Sequence, residues 1–248
     1  NKKMIKIGLF GYCGSGKTYI FKKLTGKEVE IFDPFKPNVG IGVYKDKRLE
    51  KIKEIVKPKK VIYPEFEIYD FKGFPEGEGF PDTYFKNFFD LDSLLLIVKN
   101  FTNESNPEEE LSSLCMELIY YDIERIENII KNRKNIGEKT EIWEKCLEFL
   151  KKEKFLKDMD IEKKHFAGTE LLTIKEIVVF FNGENKEIKT DMPFVNKIED
   201  IYTKVIETLG FITFYTIKGD IASAWIVPKN FTARQAGGKI HKDIEKGF

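Results

Sequence analysis

Eight residues, GYCGSGKT at positions 11–18, constrain this chain more than any other stretch. They satisfy the spacing G-x-x-x-x-G-K-[S/T], which turns successive backbone N–H groups into one hollow at the start of a helix. That hollow favours phosphate oxygens twice, through hydrogen bonds from the amides and through the positive end of the helix dipole. The flanks are the ones the motif requires. Residues 4–10 (MIKIGLF) are an apolar run of strand length, and Tyr19, Ile20, Phe21 and Leu24 have the apolar spacing of a helix start. The competing reading, a glycine-rich turn that binds nothing, does not account for a strand before and a helix after. Lys17 is expected to reach the β- and γ-phosphates and the Thr18 hydroxyl to hold Mg²⁺. Cys13, Gly14, Ser15, Gly16 and Tyr19 complete the expected nucleotide contacts. Such a loop implies an α/β protein with a mostly parallel sheet and flanking helices.

A second element follows. Residues 61–69 (VIYPEFEIY) alternate like a strand and lead into DFKG at 70–73. Asp70 is expected to hold Mg²⁺ through water and the Gly73 N–H to meet the γ-phosphate; the competing reading is a plain turn. Pro34, Pro37 and two glycines break up residues 31–49, where a mobile switch loop is expected, and PEGEGF at 75–80 suits a second. Residues 94–98 (LLLIV) read as a strand buried on both faces. Residues 174–181 form another strand, ending at Asn182, Gly183, Glu184 and Asn185. Ligands sit at the carboxyl ends of parallel strands, so Asn182 is placed to reach a base; Asn-Gly is equally a strong turn pair, and a turn alone accounts for it.

Between these strands, Leu111, Leu114, Cys115, Leu118, Ile123, Ile126, Ile129 and Ile130 make a helical stripe, and a second helix carries Ile142, Cys146, Phe149 and Leu150 on one face. Two antiparallel helices are expected, held by packing rather than by a cofactor. A helix over 198–209 precedes a β-rich tail. With 42 Lys/Arg against 41 Asp/Glu, no global field draws the chain to nucleic acid or membrane. Residues 218–248 carry six Lys/Arg against three Asp/Glu, a local basic face suited to RNA phosphate or to solvent alone. Three scattered cysteines argue for reduced thiols and a cytoplasmic setting. No apolar run approaches the ~20 residues of a spanning helix, so no membrane partner is expected.

Longer stretches carry a resemblance. PFKPNVGIGVYKDKRLEKIKEIVKPKK (34–60), GEGF (77–80) and GFITFYTIKGDIASAWIVPKNFTARQAGGKIHKDIEKGF (210–248) together resemble the Obg-like ATPase (YchF) family of P-loop proteins. The resemblance implies a nucleotide domain over 1–107 and 166–197, a helical coiled-coil insertion over 108–165, and a TGS-like domain over 198–248 whose sheet is about half complete, as in a fragment or a reduced domain. It implies a slow Mg²⁺-dependent hydrolase of ATP or GTP, linked to translation through the ribosome, with Lys17 and Gly73 in catalytic roles. The family favours ATP because its base motif is N-x-x-E, and it puts a hydrophobic residue, here Phe74, where related hydrolases carry a glutamine. This chain departs from the pattern at Gly14 (usually asparagine), at Pro34 (a switch threonine) and at Asn185 (a glutamate). It also has a short segment between Asn185 and Ile198 in place of a longer one with a second base-contacting loop. With Asn182, Gly183 and Asn185 as base contacts, no carboxylate meets guanine's two donors, so ATP is expected to bind at least as well as GTP. A non-hydrolysing, nucleotide-dependent ribosome- or RNA-binding module is the alternative. Lys17, Thr18 and Asp70 favour the hydrolase; Pro34 and Phe74 favour the module.

Overall fold

The computed structural model describes residues 4–29, 33 and 36–247, so Pro34 lies outside the described residues. The chain runs β1 (Ile5–Phe10), α1 (Lys17–Thr25), β2 (Asn38–Val43), α2 (Lys47–Val56), β3 (Lys60–Ile62), β4 (Glu65–Asp70), α3 (Asp82–Phe85) and β5 (Ser93–Lys99). Then come α4 (Pro107–Asn135), α5 (Glu141–Leu150), β6 (Glu176–Asn182), β7 (Phe194–Val195) and α6 (Ile201–Thr208). The hairpin β8 (Phe211–Lys218) and β9 (Ile221–Pro228) leads to α7 (Ala233–Ile240) and α8 (Lys242–Gly247).

Six strands form the main sheet in the order β2-β4-β1-β5-β6-β7, all parallel except β2. The parallel strands β5 and β6 are apolar nearly throughout because helices cover both of their faces. On one face Ile7, Leu9, Phe66, Leu95 and Ile97 pack against Ile20 and Phe21 of α1 and Tyr202 and Val205 of α6. On the other, Phe10, Leu94, Leu96 and Val98 pack against Tyr84, Phe88, Leu111, Leu114 and Leu118.

Four expectations change. Residues 61–69 are not one strand: Pro64 has no N–H to carry a ladder, and β3 leaves the main sheet to pair with β9 in a three-stranded sheet, β3-β9-β8. Residues 31–49 are not wholly irregular, because β2 occupies 38–43. Its glycines serve close approach: a Cβ on Gly42 would collide with the Tyr202 hydroxyl, which donates to the Leu24 carbonyl at 3.1 Å. The segment 108–165 does not stand apart as an arm. The helices are antiparallel, as the Lys134–Glu144 and Lys151–Glu127 pairs show, but their stripe through Ile126, Ile130, Trp143, Cys146 and Leu150 continues the cluster over the sheet. The buried Asp122 carboxylate ties α4 to the start of β6 by accepting from Leu172 N (2.8 Å), Thr173 N (2.7 Å) and Thr173 Oγ1 (2.6 Å). Finally, α6 belongs to the core of the main sheet, so the expected boundary at 198 falls ahead of a helix that packs with the nucleotide domain.

The β8–β9 hairpin meets this domain through α2. Ala222 and Ala224 of β9 cover Leu49, and the Tyr215 hydroxyl donates to Asp46 Oδ2 at 2.6 Å. Asp46 also caps α2, accepting from Arg48 N at 2.8 Å.

Candidate nucleotide site

The phosphate loop folds as its residues dictate. Gly14 (φ 80°) and Gly16 (φ 93°) take left-handed conformations that side chains resist, which turns the loop back on itself ahead of α1. Lys17 is 6% exposed, and its Nζ donates to the carbonyls of Gly11 (2.8 Å) and Tyr12 (2.9 Å). Burial lowers its pKa to about 8, with the Asp70 charge opposing. The parallel register of β1 and β4 sets Leu9 beside Asp70, which brings the end of β4 to the loop. There Thr18 Oγ1 donates to Asp70 Oδ2 at 3.1 Å. Asp70 Oδ1 is buried without a partner, and burial raises the carboxyl pKa to about 6 despite Thr18 and Lys17.

The D-x-x-G segment is laced to the same loop. Cys13 N donates to the Phe74 carbonyl at 2.8 Å. A Cβ on Gly73 would lie 2.5 Å from Lys17 Nζ and 2.9 Å from the Cys13 backbone, so only glycine fits. The Phe74 ring turns into an aromatic cluster, 5.4 Å from Phe80 and 5.5 Å from Tyr84 between centroids. Lys17, Thr18, Asp70 and Gly73 therefore lie together, with Cys13 and Tyr19 exposed at the edge.

The residues expected at the base are used differently. Asn182 Nδ2 donates to the Ser15 carbonyl at 2.9 Å, so this side chain braces the phosphate loop. Asn185 Nδ2 donates to the Thr102 carbonyl at 2.8 Å, and Asn185 N to the Asn100 carbonyl at 3.0 Å. The physical reason is common to both: the loops after β1 and β5 leave carbonyls without ladder partners, and a nearby side-chain amide satisfies them. Gly183 lies against the Asn100 backbone at φ 110°.

Three residues went unnoticed in the sequence. Asn100 is buried at the end of β5 and welds it to the 182–186 loop, donating to Lys186 O and accepting from Lys186 N, both at 3.0 Å. Phe101 beside it is 49% exposed, with Lys99 Nζ 5.7 Å from its ring centre. Asn196, just past β7, donates to Glu184 Oε1 at 3.0 Å. The short segment after Asn185 thus still builds a sheet strand and a loop at the base end. Two residues are too few to show a period, so β7 left no signal.

Among the described residues no group of three His, Cys, Asp or Glu could hold a metal unaided. The fit to Mg²⁺ is of another kind: one hydroxyl and one carboxylate oxygen with nothing else to bind, a donor set that suits an ion carried mostly by phosphates and water. Among the described residues no helix is long and apolar enough to cross a membrane.

A family model named YchF-GTPase_C, described as a protein of unknown function (DUF933), matches residues 211–248. The ribosome-binding ATPase YchF of Buchnera aphidicola subsp. Schizaphis graminum is 28% identical over an alignment of 312 residues, spanning 98% of this chain and 86% of the relative. The protein of the same name from Escherichia coli O157:H7 is 25% identical with the same coverage. The chain is thus similar to YchF proteins over nearly its whole length. A solved structure of the Schizosaccharomyces pombe YchF GTPase shares its fold, at a TM-score of 0.75 and 19% identity over 100% of this chain and 87% of the other. The alignments to YchF relatives run longer than the chain's 248 residues, so the relatives carry segments that it lacks.

Proposed function

We propose that this chain binds a nucleoside triphosphate with Mg²⁺ in its phosphate loop and hydrolyses it slowly, in a cycle coupled to ribosome binding. The observation that carries the reading is the convergence of Lys17, Thr18, Asp70 and Gly73 on one buried point. The loop amides and Lys17 bind the β- and γ-phosphates; Lys17 exchanges two carbonyl partners for phosphate oxygens. Thr18 and Asp70 would hold Mg²⁺, which when bound neutralises charge on the bridging and terminal oxygens. The Gly73 N–H, packed against Lys17, senses the terminal phosphate. Phe74 cannot orient an attacking water, so catalysis rests on positioning and on charge. The exposed Phe101 ring offers the base a stacking surface, which suits either purine. The ribosome is the partner in the names of the YchF relatives, and the exposed Lys239, Lys242 and Lys246 of the tail give RNA phosphate a place to bind.

Single-turnover hydrolysis of Mg·ATP, with and without ribosomes, tests this. Turnover that rises with ribosomes and disappears in Lys17→Ala is expected; binding with no turnover in either condition overturns the hydrolase. The packing of the half-buried Phe74 ring into its aromatic cluster favours the second reading, a non-hydrolysing nucleotide-dependent ribosome-binding module, which that outcome would support.

A further inference from the structure

Among the described residues the buried side-chain polar atoms without a protein partner are Ser15 Oγ, Asn38 Nδ2, Asp70 Oδ1 and the Tyr84 hydroxyl. Burying a polar group without a hydrogen bond is costly, so such atoms are rare and ask for an explanation. Here they gather around one site. Ser15 lies in the phosphate loop, Asp70 bonds to Thr18 beside it, and the Tyr84 ring packs 5.5 Å from that of Phe74. Asn38 opens β2, the strand next to Asp70.

The antiparallel register of β2 and β4 sets Asn38 directly opposite Asp70. Opposed residues of such a pair point to the same face, with Cβ atoms about 4.5–5.5 Å apart. The face is the one toward α1, from which Thr18 reaches Asp70: a Cβ on Gly40 would lie 2.9 Å from Phe21 Cζ, and one on Gly42 3.0 Å from the Leu24 carbonyl. With glycine at 40 and 42, Asn38 carries the one side chain that β2 presents there; Val39, Ile41 and Val43 point the other way and are exposed. Donor and acceptor are complementary. Thr18 takes Asp70 Oδ2, Oδ1 has nothing, and the Asn38 amide has two N–H groups to give. An asparagine kept only to shape a turn bonds to neighbouring backbone, and Asn38 Nδ2 makes no such bond.

We propose that Asn38 is a positioning residue of the Mg²⁺ site: its side-chain amide donates to Asp70 Oδ1 and fixes the carboxylate in the orientation that holds the ion. At the cross-strand spacing, rotation about side-chain bonds alone brings the amide within reach of the carboxylate. Thr18 from α1 and Asn38 from β2 then hold one oxygen each. A carboxylate held at both oxygens loses little freedom when it meets a metal, which is how partners behind the ligands raise metal affinity. The inference rests on the reading of Thr18 and Asp70 as the Mg²⁺ residues and adds the strand that orients them.

The test uses the full chain and calorimetry with ATP, once in MgCl₂ and once in EDTA. Asn38→Leu keeps the shape of the side chain and removes its donor. Affinity for Mg·ATP should fall roughly tenfold, while metal-free ATP, held by the phosphate loop, should bind as in the wild type. The Tm of the nucleotide-free variant should be unchanged or raised, since a buried amide without a partner has been removed. If Asn38→Leu instead melts well below the wild type, Asn38→Ala answers the same question without the bulk. In Asn38→Leu/Asp70→Asn the Mg²⁺ effect should be no smaller than in Asp70→Asn alone, because Asn38 acts through Asp70. Wild-type Mg·ATP affinity in both Asn38 variants overturns the proposal. So do equal losses in MgCl₂ and EDTA, which make Asn38 a support of the strand alone, and additive losses in the double variant. If Asp70→Asn keeps the full Mg²⁺ effect, the reading of Asp70 as a metal residue falls and takes Asn38 with it; a loss in Asp70→Asn without one in Asn38→Leu strikes Asn38 alone.

Discussion

The phosphate end and the base end of this site are built from the same kind of part, a parallel strand and the loop after it, yet they are finished differently. At the phosphate end, groups from different elements bond to one another: Thr18 to the buried Asp70, Cys13 to Phe74, and the buried Lys17 to its own loop. At the base end Asn185 satisfies the Thr102 backbone and Asn100 the Lys186 backbone, while Phe101 stays half exposed. A preorganised charge site binds strongly and selectively for phosphate. A base site whose polar groups are already partnered gains little from any particular base.

The largest effect should come from the phosphate end. Lys17→Ala should cost triphosphate affinity at least about 100-fold, or ~2.7 kcal/mol, by calorimetry; a change under about threefold would remove the basis of the comparison. Gly73→Ala puts a methyl group against Lys17 and Cys13 and should weaken triphosphate about tenfold while diphosphate weakens less. Equal losses would mean that Gly73 does not attend to the terminal phosphate.

Asp70 gives the comparison a pH dependence. Its pKa is raised on folding to about 6, so its contribution to stability is full below the ordinary carboxylate range and is lost as pH rises through about 6. Binding of Mg·nucleotide needs the ionised form and runs the other way. Affinity should rise roughly tenfold from about pH 5 to about pH 7, and Asp70→Asn should bind weakly at both. A flat profile in the wild type would detach Asp70 from the metal.

Asn182 straddles the two ends. Loss of its bond to Ser15 should cost about 1 kcal/mol, or some fivefold. Because it acts on the loop, Asn182→Ala should weaken inorganic tripolyphosphate as much as ATP; an effect confined to nucleotides would return it to the base. The smallest effect belongs to Asn185. Asn185→Ala should change ATP and GTP affinity by less than about twofold, and the wild-type ratio of ATP to GTP should stay within about tenfold. A clear GTP preference would mean that the Glu184 carboxylate leaves Asn196 to read guanine.

The phosphate end was legible in the sequence because its chemistry lies mostly in the backbone: glycine spacing, a lysine, and an acid closing a strand are enough to place it. Asp70 met the loop because parallel pairing of β1 and β4 leaves no other register for it. The base end was not legible, since the direction of Asn182 or Asn185 depends on which carbonyl a distant loop leaves unpaired. Pro64 announced its break, but nothing near it says that β3 would find β9. Likewise the stripe on α4 and α5 showed two helices, and only the apolar faces of β5 and β6 show what they cover.

The bond between Tyr215 and Asp46 has a consequence for the order in which the molecule can be assembled. The two residues are 169 positions apart. At synthesis rates of about 5–20 residues per second, roughly 10–30 s pass between their emergence. During that interval Leu49 has no hairpin to cover it and β3 has no neighbour, while the strands of the main sheet are already being delivered one by one. The small sheet is thus a late closure over an early helix, and the nascent chain carries an open strand edge at β3 until its tail arrives.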